Sequence, residues 1–251
     1  MDLGLRDRVV LVTGAGQGIG RAVGLGLAQE GARVAFHYHA SAEGARSAVE
    51  FLRAAGHTAE AVMADLRDPA QIAALVVRVQ DALGPIDVLV NNAAFTPAGP
   101  FLDADPRAVR EAFDVTVFGT MELTRRVLGS MVERQQGVIV TLVGDAGRIG
   151  EARLVATSAA RAAEMAFVKS VAKEFGRFGI RANAVSLGLV EKPDAPLHID
   201  ANQRERALRL YPLRRFGRVE DVPPLVAWLA SDLSAWTTGQ VISLNGGYVT
   251  A

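Results

Sequence analysis

Residues 9–20, VVLVTGAGQGIG, form an apolar run that stops at Thr13 and opens at once into alternating glycines. Val9, Val10, Leu11 and Val12 read as a parallel strand buried on both faces, because such a strand has no solvent side and need not alternate. Gly14, Gly16, Gly18 and Gly20 remove Cβ atoms where the chain turns and where its amides approach a ligand. A helical pattern follows at 21–30, whose N-terminus adds partial positive charge. Strand, glycine turn and helix N-terminus in succession make a cradle for the diphosphate of a dinucleotide.

The remainder of the chain repeats this unit. Gly31 ends the first helix, and strands are expected at 33–37, 59–64 and 86–90, with helices at 42–55 and 69–83 between them. Longer helices are expected at 106–133 and 154–175, with strands at 138–143 and 180–186. Strands alternating with helices through short connections predict an α/β fold, a single-domain Rossmann-like doubly wound parallel sheet of about seven strands with helices on both faces. No low-complexity linker or compositional shift divides residues 1–251, so one domain is expected. Pro193, Pro196 and Pro212 surround a short helical pattern, and 190–215 is the expected substrate lid.

Charge and cysteine content narrow the chemistry. Lys+Arg and Asp+Glu stand at 27 each, which leaves no basic excess to draw nucleic acid or anionic membrane. There is no cysteine, so disulfides, thiolate catalysis and cysteine-bearing metal sites are excluded, and no metal site is expected. MDLGLRDR carries no apolar leader pattern and no run of about 18 uncharged apolar residues follows, so a soluble, cytoplasmic protein is expected.

The tip of the second strand reads His37-Tyr38-His39-Ala40-Ser41. In dinucleotide folds an acid here bonds the ribose 2′-hydroxyl and repels a 2′-phosphate. None is present, which favours NADP(H) over NAD(H), with His39 and Ser41 as phosphate contacts against the plainer reading of both histidines as exposed turn residues.

The glycine spacing fits T-G-x-x-x-G-x-G through Thr13, Gly14, Gly18 and Gly20, and on this pattern the chain resembles the short-chain dehydrogenase/reductase family. The resemblance extends from Leu5 to Gly247 and takes in Asn91-Asn92-Ala93 and the closing helix and strand. It implies that Thr13, Gly14, Gln17, Gly18, Ile19 and Gly20 surround the cofactor diphosphate. It further implies that Asp65 and Leu66 hold the adenine, that Asn92 passes close to the adenosine ribose, and that Gly188 borders the nicotinamide. A dimer or tetramer is implied too, as a homo-oligomer or in company with an active homologue.

The same resemblance breaks at the reactive end. The family's chemistry uses an Asn, a Ser, and a Tyr with a Lys four residues later. Aligned from the flanking motifs, those positions fall on Thr116, Gly144, Thr157 and Arg161. A threonine hydroxyl is far less acidic than a phenol and sits closer to the backbone, and an arginine does not shuttle protons. Arg161 is left to bond ribose hydroxyls or an anion, or to pair with Glu164 or Glu122 on the helix surface. Asp145, beside the vacant serine position, is either an acid or base near the substrate or a plain turn residue. The Pro and Thr expected around Gly188 are replaced by Leu187 and Lys192.

Three functions are compatible with these residues. The first is an NAD(P)(H)-dependent oxidoreductase acting on a ketone- or quinone-type carbonyl without the Tyr–Lys pair. The second is a non-catalytic subunit or nucleotide-responsive regulator, and the third a dehydratase or cyclase on the same scaffold.

Overall fold

The structure, a computed structural model, describes residues 2–192 and 199–250. In chain order the elements are β1 (Val9–Val12), α1 (Gly18–Gln29), β2 (Arg33–Tyr38), α2 (Ala42–Ala54), β3 (Ala59–Met63), α3 (Pro69–Leu83) and β4 (Val88–Asn91). Then follow α4 (Pro106–Phe113), a π-helical segment Asp114–Gly119, α5 (Thr120–Arg134), β5 (Gly137–Gly144), the single turn α6 (Ala146–Ile149), α7 (Val155–Phe175) and β6 (Ile180–Leu187). The chain closes with β7 (Val190–Glu191), α8 (Ala201–Arg209), β8 (Gly217–Arg218), α9 (Pro223–Ala230) and β9 (Val241–Leu244).

Seven strands make one parallel sheet in the order β3-β2-β1-β4-β5-β6-β9. Strand order reverses between β1 and β4, which opens a crevice at their carboxyl ends. The apolar runs explain the layering. Val10 and Val12 point into one core with Val23, Leu27 and Phe36, while Val9 and Leu11 point into the other with Leu75, Val79 and Leu89. Helices α1, α2 and α9 cover the first face, and α3, α5 and α7 the second. Burial on both faces is why these strands carry no polar alternation.

Helix α1 begins three residues earlier than its side-chain pattern suggests, so Gly18 and Gly20 lie in its first turn. The single helix expected at 106–133 is corrected to α4, the π segment and α5. At its end Gly119 passes so close to the Leu66 backbone that a Cβ would stand 2.6 Å from the Leu66 carbonyl oxygen. The extra residue per turn buries Thr116, whose hydroxyl accepts the Phe95 N–H at 3.3 Å. Within the expected lid, β7 pairs with β8, and Glu191 holds Arg204 of α8 through two hydrogen bonds. Pro193 and Pro196 lie outside the described residues.

Candidate cofactor cleft

The crevice at the β1/β4 reversal is a cleft of about 350 Å³. It runs from Asp65, Leu66 and Arg67, across Gly14 to Gly20, to Val115, Leu142, Val143, Arg161, Leu187 and Lys192. Its wall is built by close backbone packing. Gly14 and Gly18 adopt φ of +61° and +52°, in the left-handed region that favours glycine. A Cβ on Gly14 would stand 2.9 Å from Ala93 Cα, and one on Gly20 would collide with the Asn92 amide. At Gly18 a Cβ would meet only the Lys192 methylenes, nearest at 3.3 Å, and would fill the cradle itself. Gln17, which precedes α1, makes no side-chain cap bond, and the positive end of the helix lies at this cradle.

Thr13 stands behind the wall. Its hydroxyl accepts the Asn92 and Ala93 N–H groups at 2.9 and 3.0 Å, and Asn92 Nδ2 donates to the carbonyls of Thr13 and Gly14. Asn91 donates to Thr124 and Thr141 within the core. These contacts lock the end of β4 to the glycine loop and fix the cleft floor.

His37 is buried at 2% exposure, which corrects its reading as an exposed turn residue. Its Nδ1 accepts the Gly14 N–H at 3.2 Å and its Nε2 lies 3.0 Å from the Ala64 carbonyl, so the neutral ring carries its proton on Nε2. Burial pushes its pKa down to about 4, and the imidazole stays neutral in the role. Nothing in the spacing of residues 37–41 separates this inward histidine from outward His39.

At the adenosine end His39 and Ser41 line the cleft, and Ser41 Oγ donates to Gln17 Oε1 at 3.0 Å. Arg67, unmarked in the sequence, bonds both oxygens of Asp65 and reaches Glu111 at 2.7 Å. That guanidinium holds Asp65 below the usual carboxylate range and cancels its charge at the cleft rim.

The reactive end brings fewer of the expected side chains together. Arg161 lines the cleft, but its Nη1 donates to the Leu142 carbonyl at 3.0 Å and to Glu164 Oε2 at 2.8 Å. Of its expected roles, the ion pair with Glu164 is present, as a buried pair and not a surface one. Glu164 is 2% exposed, and burial pushes its pKa up to about 7 against the pull of Arg161 and the Thr120 hydroxyl. Thr157 donates to the Pro97 carbonyl at 3.1 Å. Asp145 lies in the turn after β5, but it is buried, which corrects its reading as a surface residue: Ser186 Oγ and Asn245 Nδ2 each donate to it at 2.6 Å. Neither it, Thr116, Thr157 nor Gly144 lines the cleft. Gly188 is also outside the lining, and a Cβ there would stand 3.1 Å from Asn245 and Tyr211. Among the described residues no group of three or more His, Asp or Glu side chains is placed to hold a metal ion, and no helix is long and apolar enough to cross a membrane.

Known proteins share this architecture along the whole chain. The family model described as enoyl-(acyl carrier protein) reductase matches residues 14–249. The 3-oxoacyl-(acyl-carrier-protein) reductase of Staphylococcus aureus is 35% identical over 240 residues, covering 94% of this chain and 96% of that protein. Its Escherichia coli counterpart is 31% identical over 245 residues, covering 98% of both. A blue fluorescent protein from a metagenomic library, solved in complex with NADPH, superposes with a TM-score of 0.90 at 29% identity, covering 98% of this chain and 99% of that one. By sequence and by fold, the chain belongs to the short-chain dehydrogenase/reductase family.

Proposed function

We propose that this protein is an NADP(H)-dependent oxidoreductase acting on a ketone- or quinone-type carbonyl, and that no side chain of α7 supplies the proton. The observation that carries this reading is the continuous cleft from Asp65 and Leu66 to an apolar end at Val115, Leu142, Val143 and Leu187. The glycine cradle at the start of α1 fits a diphosphate. Asp65, Leu66 and Asn92 would hold the adenosine, and Gln17, Ile19 and Gly20 would flank the phosphates. The NADPH-bound neighbour and the reductase relatives support the assignment. NADP(H) is preferred because the strand tip carries His39 and Ser41, and because Arg67 neutralises Asp65.

When bound, the nicotinamide supplies or accepts a hydride. The protein's part is to orient and to exclude water, which needs no proton donor of its own. Thr157 is committed to Pro97, Asp145 to Ser186 and Asn245, and Arg161 cannot release a proton. A substrate hydroxyl or water completes the product, so quinones and internally hydrogen-bonded phenolic ketones are the best substrates. The Thr157–Pro97 contact equally favours a second reading, a nucleotide-binding subunit that performs no turnover within a homo- or hetero-oligomer.

Parallel fluorescence titrations with NADPH and NADH, followed by rapid mixing of the NADPH complex with quinones, test the assignment. We expect tighter binding of NADPH, enhanced nicotinamide emission and single-turnover oxidation. Binding without oxidation by any carbonyl favours the non-catalytic reading, and absence of binding overturns both.

A further inference from the structure

We propose that Arg161 is an anion-binding residue of the substrate pocket, holding the enolate or phenolate oxygen of an acidic quinone or phenolic ketone; this rests on the oxidoreductase reading above. The guanidinium is anchored through one nitrogen. Nη1 donates to the Leu142 carbonyl at 3.0 Å and to Glu164 Oε2 at 2.8 Å. Nε and Nη2 make no hydrogen bond to any of the described residues, and the side chain, 13% exposed, lines the cleft. These two nitrogens present a planar fork of N–H donors, the geometry that an oxyanion accepts.

The surroundings strengthen that attraction. Val115, Leu142, Val143 and Leu187 line this end of the cleft, and a cation beside apolar walls draws an anion more strongly than it would in open water. A charged oxygen uses the fork more fully than a neutral carbonyl does, so the site selects for charge on the ligand. Glu164 does not cancel the guanidinium below neutrality. Burial pushes its pKa up to about 7, so at pH 6 it is mostly protonated and Arg161 keeps its positive charge. The same contact serves the reaction. A carbonyl carbon that accepts a hydride from NADPH gains a C–H bond while its π pair moves to oxygen, and the oxyanion lasts until water or the substrate's own hydroxyl protonates it. A guanidinium stabilises that charge without giving up a proton.

The test is binding of a ready-made anion, not turnover. Lawsone, a hydroxynaphthoquinone ionised to its enolate at pH 6, and lawsone methyl ether, which carries no charge, would be titrated by calorimetry into the full-length protein with NADP+ present. Arg161→Gln removes the charge and, with Glu164 mostly protonated at pH 6, leaves no buried anion behind. Arg161→Lys keeps the charge without the fork. We expect the parent to bind lawsone at least about tenfold more tightly than the ether, Arg161→Gln to lose that preference while binding the ether as before, and Arg161→Lys to fall between. A parent that binds NADP+ without preferring lawsone overturns the proposal. So does an unchanged preference in Arg161→Gln, and so does equal weakening of both probes, which would make Arg161 a part of the wall only. Failure of the parent to bind NADP+ overturns the oxidoreductase reading itself.

Discussion

Thr157 stands one helical turn before Arg161 on α7, and its hydroxyl already has a partner. The Pro97 carbonyl takes its proton at 3.1 Å, which ties the 93–105 loop to α7. Thr157→Ala should therefore cost about 1 kcal/mol of stability through the lost hydrogen bond. It should leave single-turnover hydride transfer within about twofold of the parent, because removal of a proton donor would cost at least about a hundredfold. Urea melts and rapid mixing read the two effects separately, and a hundredfold loss of rate would return Thr157 to the chemistry. Gly144 is the complementary case. The nearest heavy atom to a Cβ there, the Leu187 carbonyl oxygen, is 4.0 Å away, so Gly144→Ser should fold with a change of less than about 0.5 kcal/mol. These two positions were legible from flanking motifs. Arg67 and Glu164 were not, because a charged residue in sequence carries no mark of its partner or its burial until the chain brings both together.

At the scale of elements, α1 and β2 meet through Gly24, where a glycine inside a helix ordinarily costs about 1 kcal/mol against alanine. Here the replacement should cost more than it recovers. A Cβ on Gly24 would collide with the Phe36 ring, which is fully buried in the core beneath α1 and α2. Gly24→Ala should destabilise the protein by about 1–3 kcal/mol, read as a lower urea midpoint at unchanged slope. A stabilised variant would show that Phe36 has room to turn aside. The same elements show what pattern alone conveys. Apolar-rich runs marked six strands of the sheet to within about two residues, and Gly31 marked the end of the first helix. The π segment carries no such mark. Over six residues, a turn of one extra residue is hidden within an ordinary amphipathic pattern, and the loop at Leu66 against which Gly119 packs is more than forty residues distant in sequence.

For the molecule as a whole, two buried groups, His37 behind the glycine loop and Glu164 on α7, oppose each other in pH. The folded pKa of Glu164 is raised from 4.5 to about 7, so between these values the folded state keeps a proton that the unfolded chain has released, and stability falls as pH rises. His37 is lowered from 6.5 to about 4, so between those values the unfolded chain holds the extra proton, and stability rises with pH. Each group contributes a slope of at most about 1.4 kcal/mol per pH unit. From pH 5 to 6.5 the two windows overlap and the slopes cancel. The carboxylates held below their usual range by arginine or helix contacts, among them Asp65, Glu122 and Asp221, are ionised in both states there and add little. Urea midpoints of the parent should accordingly stay flat across this interval. Glu164→Gln leaves the His37 slope, and its stability should climb by about 1–2 kcal/mol as pH rises from 5 to 6.5. His37→Asn, which offers Gly14 an acceptor and Ala64 a donor, leaves the Glu164 slope, and its stability should fall by a similar amount. A parent profile that climbs as steeply as that of Glu164→Gln would mean that Arg161 keeps Glu164 ionised throughout, and the two side chains would then form a net-neutral ion pair at every pH of the interval.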